Sequence, residues 1–182
     1  GMIDTSSVEF VREGLQSFQD NPPDALVLRV ESGGGGVNAS DRIWHQINQF
    51  KQNNPDVPVV ASFGGVAASG GYYVAMTAEH IVAERTCTTG SIGVMAPVFT
   101  FEGLLKKVGV NERWIEAPAS PKKGVANNIF RSWTEEDVQV VKDMLGHMHQ
   151  QFIDVVVEGR VTGRETELTA ERVRELAQGQ TF

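Results

Sequence analysis

Two runs rich in β-branched residues, Val27-Leu28-Arg29-Val30 and Val57-Pro58-Val59-Val60-Ala61-Ser62-Phe63, each lead into glycines, and an amphipathic segment of helix length separates them. No other feature constrains the fold as much. Antiparallel strands can be joined by a two-residue turn, whereas parallel strands need a crossover of a dozen or more residues, usually a helix. Residues 25–31 and 57–63 therefore read as buried parallel strands. Ile43, Trp44, Ile47 and Phe50 line the crossover helix, which starts near Asn38 to Asp41 and ends at Asn53-Asn54-Pro55. In such α/β units the loops at the C-terminal ends of the strands form the active edge, and the glycines lie there.

The rest of the chain follows by period and punctuation. Apolar residues at 8, 11, 15 and 18 predict a first helix that Asn21-Pro22-Pro23-Asp24 ends. Residues 80–84 and 91–95 are short apolar runs, 99–109 reads as a helix capped by Gly109, and 110–116 as a further strand. Residues 117–130 have no period and read as a loop. Thr134 with Glu135, Glu136 and Asp137 opens a long helix whose Val138, Val141, Leu145, Met148, Phe152 and Val155 form one apolar stripe, either core or a contact between subunits. A last short helix starts at Thr169.

Chemistry concentrates in two places. Gly64-Gly65-Val66-Ala67-Ala68-Ser69-Gly70-Gly71-Tyr72-Tyr73 sets one hydroxyl among small residues at a strand end, where a helix start presents free N–H groups to a developing anion. Ser69 is thus a candidate nucleophile. The competing reading makes the small residues a helix-packing device and Ser69 a cap. Gly33-Gly34-Gly35-Gly36, after the first strand, is entropically expensive unless the backbone itself is needed, and a loop without Cβ atoms can aim an N–H at a carbonyl oxygen. Val37-Asn38-Ala39-Ser40 follows instead of Lys-Ser or Lys-Thr, which argues against a phosphate-binding loop.

With 182 residues and 41% hydrophobic content the chain can bury one sizeable core and reads as a single domain, part of a longer chain. A net charge of −7 gives no footprint for nucleic acid. The single cysteine, Cys87, excludes an intrachain disulfide, and no stretch approaches the length of a membrane span. Nothing calls for a metal or cofactor.

A serine nucleophile needs a base. His45, His80, His147 and His149 all fall on predicted helices or at a strand entry, away from the loops after strand ends. Lys122-Lys123, in the 117–130 loop, is the alternative, and a lysine serves only if burial or a neighbouring cation lowers its pKa.

Ser32 to Val37, Val66 to Tyr72 and Thr89-Gly90-Ser91-Ile92-Gly93-Val94 stand in the order of the motifs of the S49 family of serine peptidases, the signal peptide peptidase A type, and the chain resembles that family over nearly its whole length. Leu105-Lys106-Lys107-Val108-Gly109-Val110 adds to the likeness. The resemblance implies an α/β fold shared with the crotonases and the Clp peptidase, built of strand–helix–strand repeats. It implies a Ser/Lys dyad: Ser69 as nucleophile, Lys123 as base with Lys122 in reserve, and Ser91 supporting the lysine. Gly70 and a glycine of 34–36, taken here as Gly35 or Gly36, would form the oxyanion hole, with Gly34, Val66, Ala67, Ala68, Gly90 and Ile92 lining the substrate. Gly33 replaces a proline of the family pattern, and the spacing from lysine to Arg131 is one residue longer. Implied further are extended peptide substrates such as cleaved signal peptides, a homo-oligomer, and a bacterial, membrane-associated location on the extracytoplasmic side. Two other readings stand beside this one: a non-catalytic homologue that binds peptides or scaffolds an assembly, and a crotonase-like acyl-CoA enzyme.

Overall fold

The computed structural model describes residues 1–120, 123–124 and 128–182. The chain forms two compact units, one of residues 1–94 with 149–182 and one of 95–148.

In the first unit, α1 (Thr5–Gln16) is opened by a capping box in which the Asp4 carboxylate accepts from the Ser7 N–H and the Ser7 hydroxyl accepts from the Asp4 N–H. Strands β1 (Leu26–Ser32) and β2 (Val59–Ala68) pair in parallel through the crossover helix α2 (Val37–Asn53). Strand β3 (His80–Ala83) runs parallel to the first half of β2, and β4 (Thr88–Gly90) parallel to its last three residues. Between them lie the short helix α3 (Gly70–Val74) and a 3₁₀ turn, Ala75–Thr77.

β2 changes partners at an irregularity. Val30 pairs with Phe63 but Ser32 pairs with Ala67, so β2 carries extra residues around Gly64-Gly65. The Glu31 carboxylate fills that kink, accepting the Gly65 N–H at 3.1 Å, and a Cβ at Gly64 would run into it. Strand β2 is therefore longer than the 57–63 expected: the glycines bend it without ending it.

The core joins Val8 of α1, Ile43 and Ile47 of α2, Val59, Ala61 and Phe63 of β2, and Phe152, Val155 and Val156 of α5 (Glu135–Arg160). Burying such side chains contributes roughly 1.5–3 kcal/mol each. The second half of the predicted α5 stripe is thus core. Helix α6 (Ala170–Leu176) is capped by Thr169, whose hydroxyl accepts from Arg172.

In the second unit, α4 (Glu102–Val108) ends at Gly109 in the left-handed conformation, φ 74°, as a C-terminal glycine cap should. The strand expected at 110–116 is absent: those residues have no regular structure, and Val110, Trp114 and Ile115 are 51%, 48% and 80% exposed. A strand needs a neighbour for its backbone groups, and all ladders among the described residues belong to β1–β4. The apolar run 91–95 has no regular structure, and β4 ends at Gly90. Arg131 and Asp137 form an ion pair at 2.5 Å, and Trp133 donates its indole N–H to Asn128 O at 2.8 Å.

Candidate active site

Ser69 is the N-cap of α3 and sits at φ 51°, ψ −123°. A positive φ is unfavourable for a residue with a Cβ, and such strain persists only where surrounding structure imposes it. Here it turns the chain sharply from β2 into α3, the geometry that lifts a serine out of a strand end. The Ser69 N–H donates to Gly90 O at 2.9 Å, and Tyr73 N–H takes Ser69 O at 2.9 Å. Among the described residues the other non-glycine with positive φ is Ser91, also at 51°.

The glycine loop after β1 closes on this turn. Gly34, at φ 109°, lies so close that a Cβ would stand 2.7 Å from Ser69 Cβ, 2.9 Å from Ser69 Oγ and 2.8 Å from the Gly70 nitrogen. Only glycine meets both the dihedral and the approach. A Cβ on Gly70 would in turn lie 3.3 Å from the Gly35 nitrogen and run into Ser40 Oγ. Ser32 and Ser40, which sequence reasoning passed over, shape this loop: Ser32 Oγ accepts the Gly34 N–H at 3.1 Å, and Ser40 Oγ donates to Gly36 O at 3.1 Å.

Hydrogen bonding sorts the three glycines. Ile3 bridges the loop, donating to Gly34 O at 2.9 Å and accepting the Gly36 N–H at 2.8 Å. Gly36, expected as an oxyanion donor, is therefore committed to Ile3, and the Gly34 N–H to Ser32. Gly35 has no hydrogen bond on its N–H among the described residues, and neither does Gly70 at the first position of α3. Two unused donors thus lie near each other at the Ser69–Gly70 turn, and free N–H groups of this kind can stabilise an oxyanion.

The residues expected to line the substrate are mostly buried in the chain. Ala67 and Ala68 are buried in β2 because the strand runs through them, and Ile92 belongs to the core. Gly34 is buried against Ser69, and Gly90 lies beneath the Phe182 ring. Of the six, Val66 alone is partly exposed. Backbone pairing holds this edge: Thr89 and Phe182 exchange two backbone hydrogen bonds of 3.0 Å, and Ser91 N–H donates to Gln180 O at 2.7 Å.

Lys123 is exposed in the second unit, its N–H donating to Ser120 O at 3.1 Å. Lys122 lies outside the described residues. His45 and His147 are exposed on α2 and α5, His80 opens β3, and His149 is on α5; none hydrogen-bonds Ser69 among the described residues. A groove of about 560 Å³ between α1 and α2, lined by Arg12, Phe18, Gln46 and Asn53 among others, includes none of the site residues. Among the described residues no group of three or more His, Cys, Asp or Glu could hold a metal, and no helix is long and apolar enough to cross a membrane.

The parallel sheet with a short helix launched from the end of β2 is the Clp-peptidase and crotonase type of fold. A ClpP1 variant from Listeria monocytogenes superposes with a TM-score of 0.58 at 15% identity, over 96% of this chain and 74% of its own. The model of peptidase family S49 matches residues 51–182, and the chain belongs to that family, in its signal peptide peptidase A type. It is 33% identical to "Putative protease slr0021" of Synechocystis sp. over 182 residues, all of this chain and 61% of the relative. It is 33% identical to protease 4 of Haemophilus influenzae, covering 92% of this chain and 25% of the relative. The chloroplastic serine protease SPPA of Arabidopsis thaliana is 34% identical, over 87% of this chain and 22% of the relative. The chain thus spans less than two thirds of the length of these relatives.

Proposed function

We propose that residues 1–182 form one serine endopeptidase domain in which Ser69 attacks the peptide carbonyl and Lys123 receives the Ser69 proton. The observation that carries this reading is the pair of unused N–H donors, Gly35 and Gly70, at the turn that begins with a strained Ser69. In the first step Ser69 Oγ bonds to the carbonyl carbon and the oxygen takes negative charge between the two N–H groups. The lysine returns the proton to the leaving amine, and water then cleaves the acyl-enzyme by the same route reversed. Ser91 orients the lysine. Lys123 is exposed in the single chain, so a second copy is the surface that desolvates it, and Trp114, Ile115, Phe99 and Phe101 are exposed apolar residues of the same unit that such contact would cover. The substrates are extended peptides with small or apolar residues before the scissile bond, cleaved signal peptides among them, and the working location is the extracytoplasmic face of a bacterial membrane.

Ser69→Ala tests the reading: it should abolish hydrolysis of a small peptide ester while the fold survives, and retained activity would defeat the assignment. The exposure of Lys123 favours one second reading, a peptide-binding homologue without turnover. A fluorophosphonate separates the two, because a pure binding module leaves Ser69 unlabelled.

A further inference from the structure

Tyr73 stands one helical turn beyond Ser69, with its ring 5% exposed between Phe152, at 5.0 Å between centroids, and Trp44, at 6.3 Å. Its hydroxyl donates to Asp41 Oδ1 at 2.7 Å. Gln151 Nε2 donates to the same oxygen at 2.8 Å and lies 3.3 Å from the Tyr73 hydroxyl. These three residues come from α3, α2 and α5.

Helix α2 begins immediately after Gly36, so Asp41 is tied to the loop that presents the Gly35 N–H; α3 begins with Gly70, so Tyr73 is tied to the other donor. Close contact leaves little freedom between the two, since Gly70 abuts Ser40 and Gly35 and Gly34 abuts Ser69. Neither donor is held by a hydrogen bond of its own. Ile3, Ser32 and Ser40 hold the glycine loop itself, the helices behind the two donors set how that loop meets α3, and the one side-chain hydrogen bond joining α2 to α3 among those described is Tyr73 to Asp41.

We propose that Tyr73, Asp41 and Gln151 are positioning residues: a strut between α2, α3 and α5 that fixes the spacing of the Gly35 and Gly70 oxyanion donors. The inference rests on the peptidase reading above. Because removal of a whole oxyanion donor lowers kcat by about 10²–10³, displacement of one by a loosened helix should lower it by about tenfold or more.

The test compares Tyr73→Phe, Asp41→Ala and Asp41→Asn with the unaltered chain, using ester hydrolysis and stoichiometric fluorophosphonate titration so that rates are expressed per reactive Ser69. Tyr73→Phe keeps the ring and its packing. It should lower kcat per site about tenfold with KM within about twofold, and slow phosphonylation in proportion, since the phosphoryl oxygen occupies the same hole. Asp41→Ala should do the same, whereas Asp41→Asn retains an oxygen for both donors and should recover most of the rate. A merely structural role would lower the fraction of labelled sites while leaving the per-site rate unchanged, and that result overturns the strut. Failure of Asp41→Asn to exceed Asp41→Ala overturns it as well. An unaltered chain whose Ser69 never labels brings down the peptidase reading, and the strut with it.

Discussion

Ser69 donates its N–H to Gly90 O across 2.9 Å, and this bond sits between the two described non-glycine residues with positive φ, Ser69 and Ser91. The strained turn after β2 and the strained turn after β4 are thus held against each other. Both strands end at one edge of the sheet, so the strain is localised where the glycine loop after β1 also arrives.

Strain at Ser69 predicts an inverse relation between stability and activity. Ser69→Gly should raise the unfolding free energy by about 1 kcal/mol, because glycine adopts positive φ freely, while abolishing turnover. Urea unfolding of the variant beside Ser69→Ala, which keeps the Cβ and the strain, checks it.

At Gly34 the expectation is opposite in sign. Gly34→Ala must push Ser69 or the Gly70 nitrogen away from contacts of 2.7–2.9 Å and also adopt φ 109°. It should destabilise the chain by about 1–3 kcal/mol and suppress activity more than Gly33→Ala, where the added Cβ meets open space. Thermal melts and ester assays on the pair decide it.

Acid should loosen the second unit. Its Glu102 carboxyl is held down to about 2 from an ordinary 4.5 by Lys106 and Ser132, and Asp137 is depressed by Arg131 and Thr134. Both folded values lie below the unfolded ones, so this stabilisation is complete above the ordinary carboxylate range and is lost as pH falls through it toward the folded values. Trp133 fluorescence, with the indole on Asn128, should be constant above about pH 5 and change below it. Asp137→Asn should weaken that acid transition, and an unchanged titration would count against the ion pair.

Lys123→Ala should lower turnover by several orders of magnitude and Lys122→Ala little. The reverse ranking would move the base by one residue.

Assembly has its own test. Activity should fall on dilution, and mixing Ser69→Ala with Lys123→Ala chains should restore some turnover if base and nucleophile come from different subunits. A monomer in light scattering with full activity would defeat the oligomeric reading, while absence of complementation would place both residues in one chain.

Strand–helix–strand order, the glycine loop after β1 and the lone Ser69 among small residues were legible in the sequence because they are local: period, β-branching and turn residues act over a few positions. Gly109 as a helix cap was legible for the same reason. Three matters were not. The choice among Gly34, Gly35 and Gly36 depends on Ile3, some thirty residues away, which takes the Gly36 N–H, and on Ser32, which takes that of Gly34. The burial of Ala67 and Ala68 depends on β2 continuing past Gly64-Gly65, where it pairs with Ser32 of β1 and with β4, and that of Ile92 on its packing into the core. The missing strand at 110–116 shows the same limit, since β propensity forms a strand only where another strand completes its hydrogen bonds. Local sequence determined which residues reach the active edge; long-range pairing decided which of their atoms remain unused there.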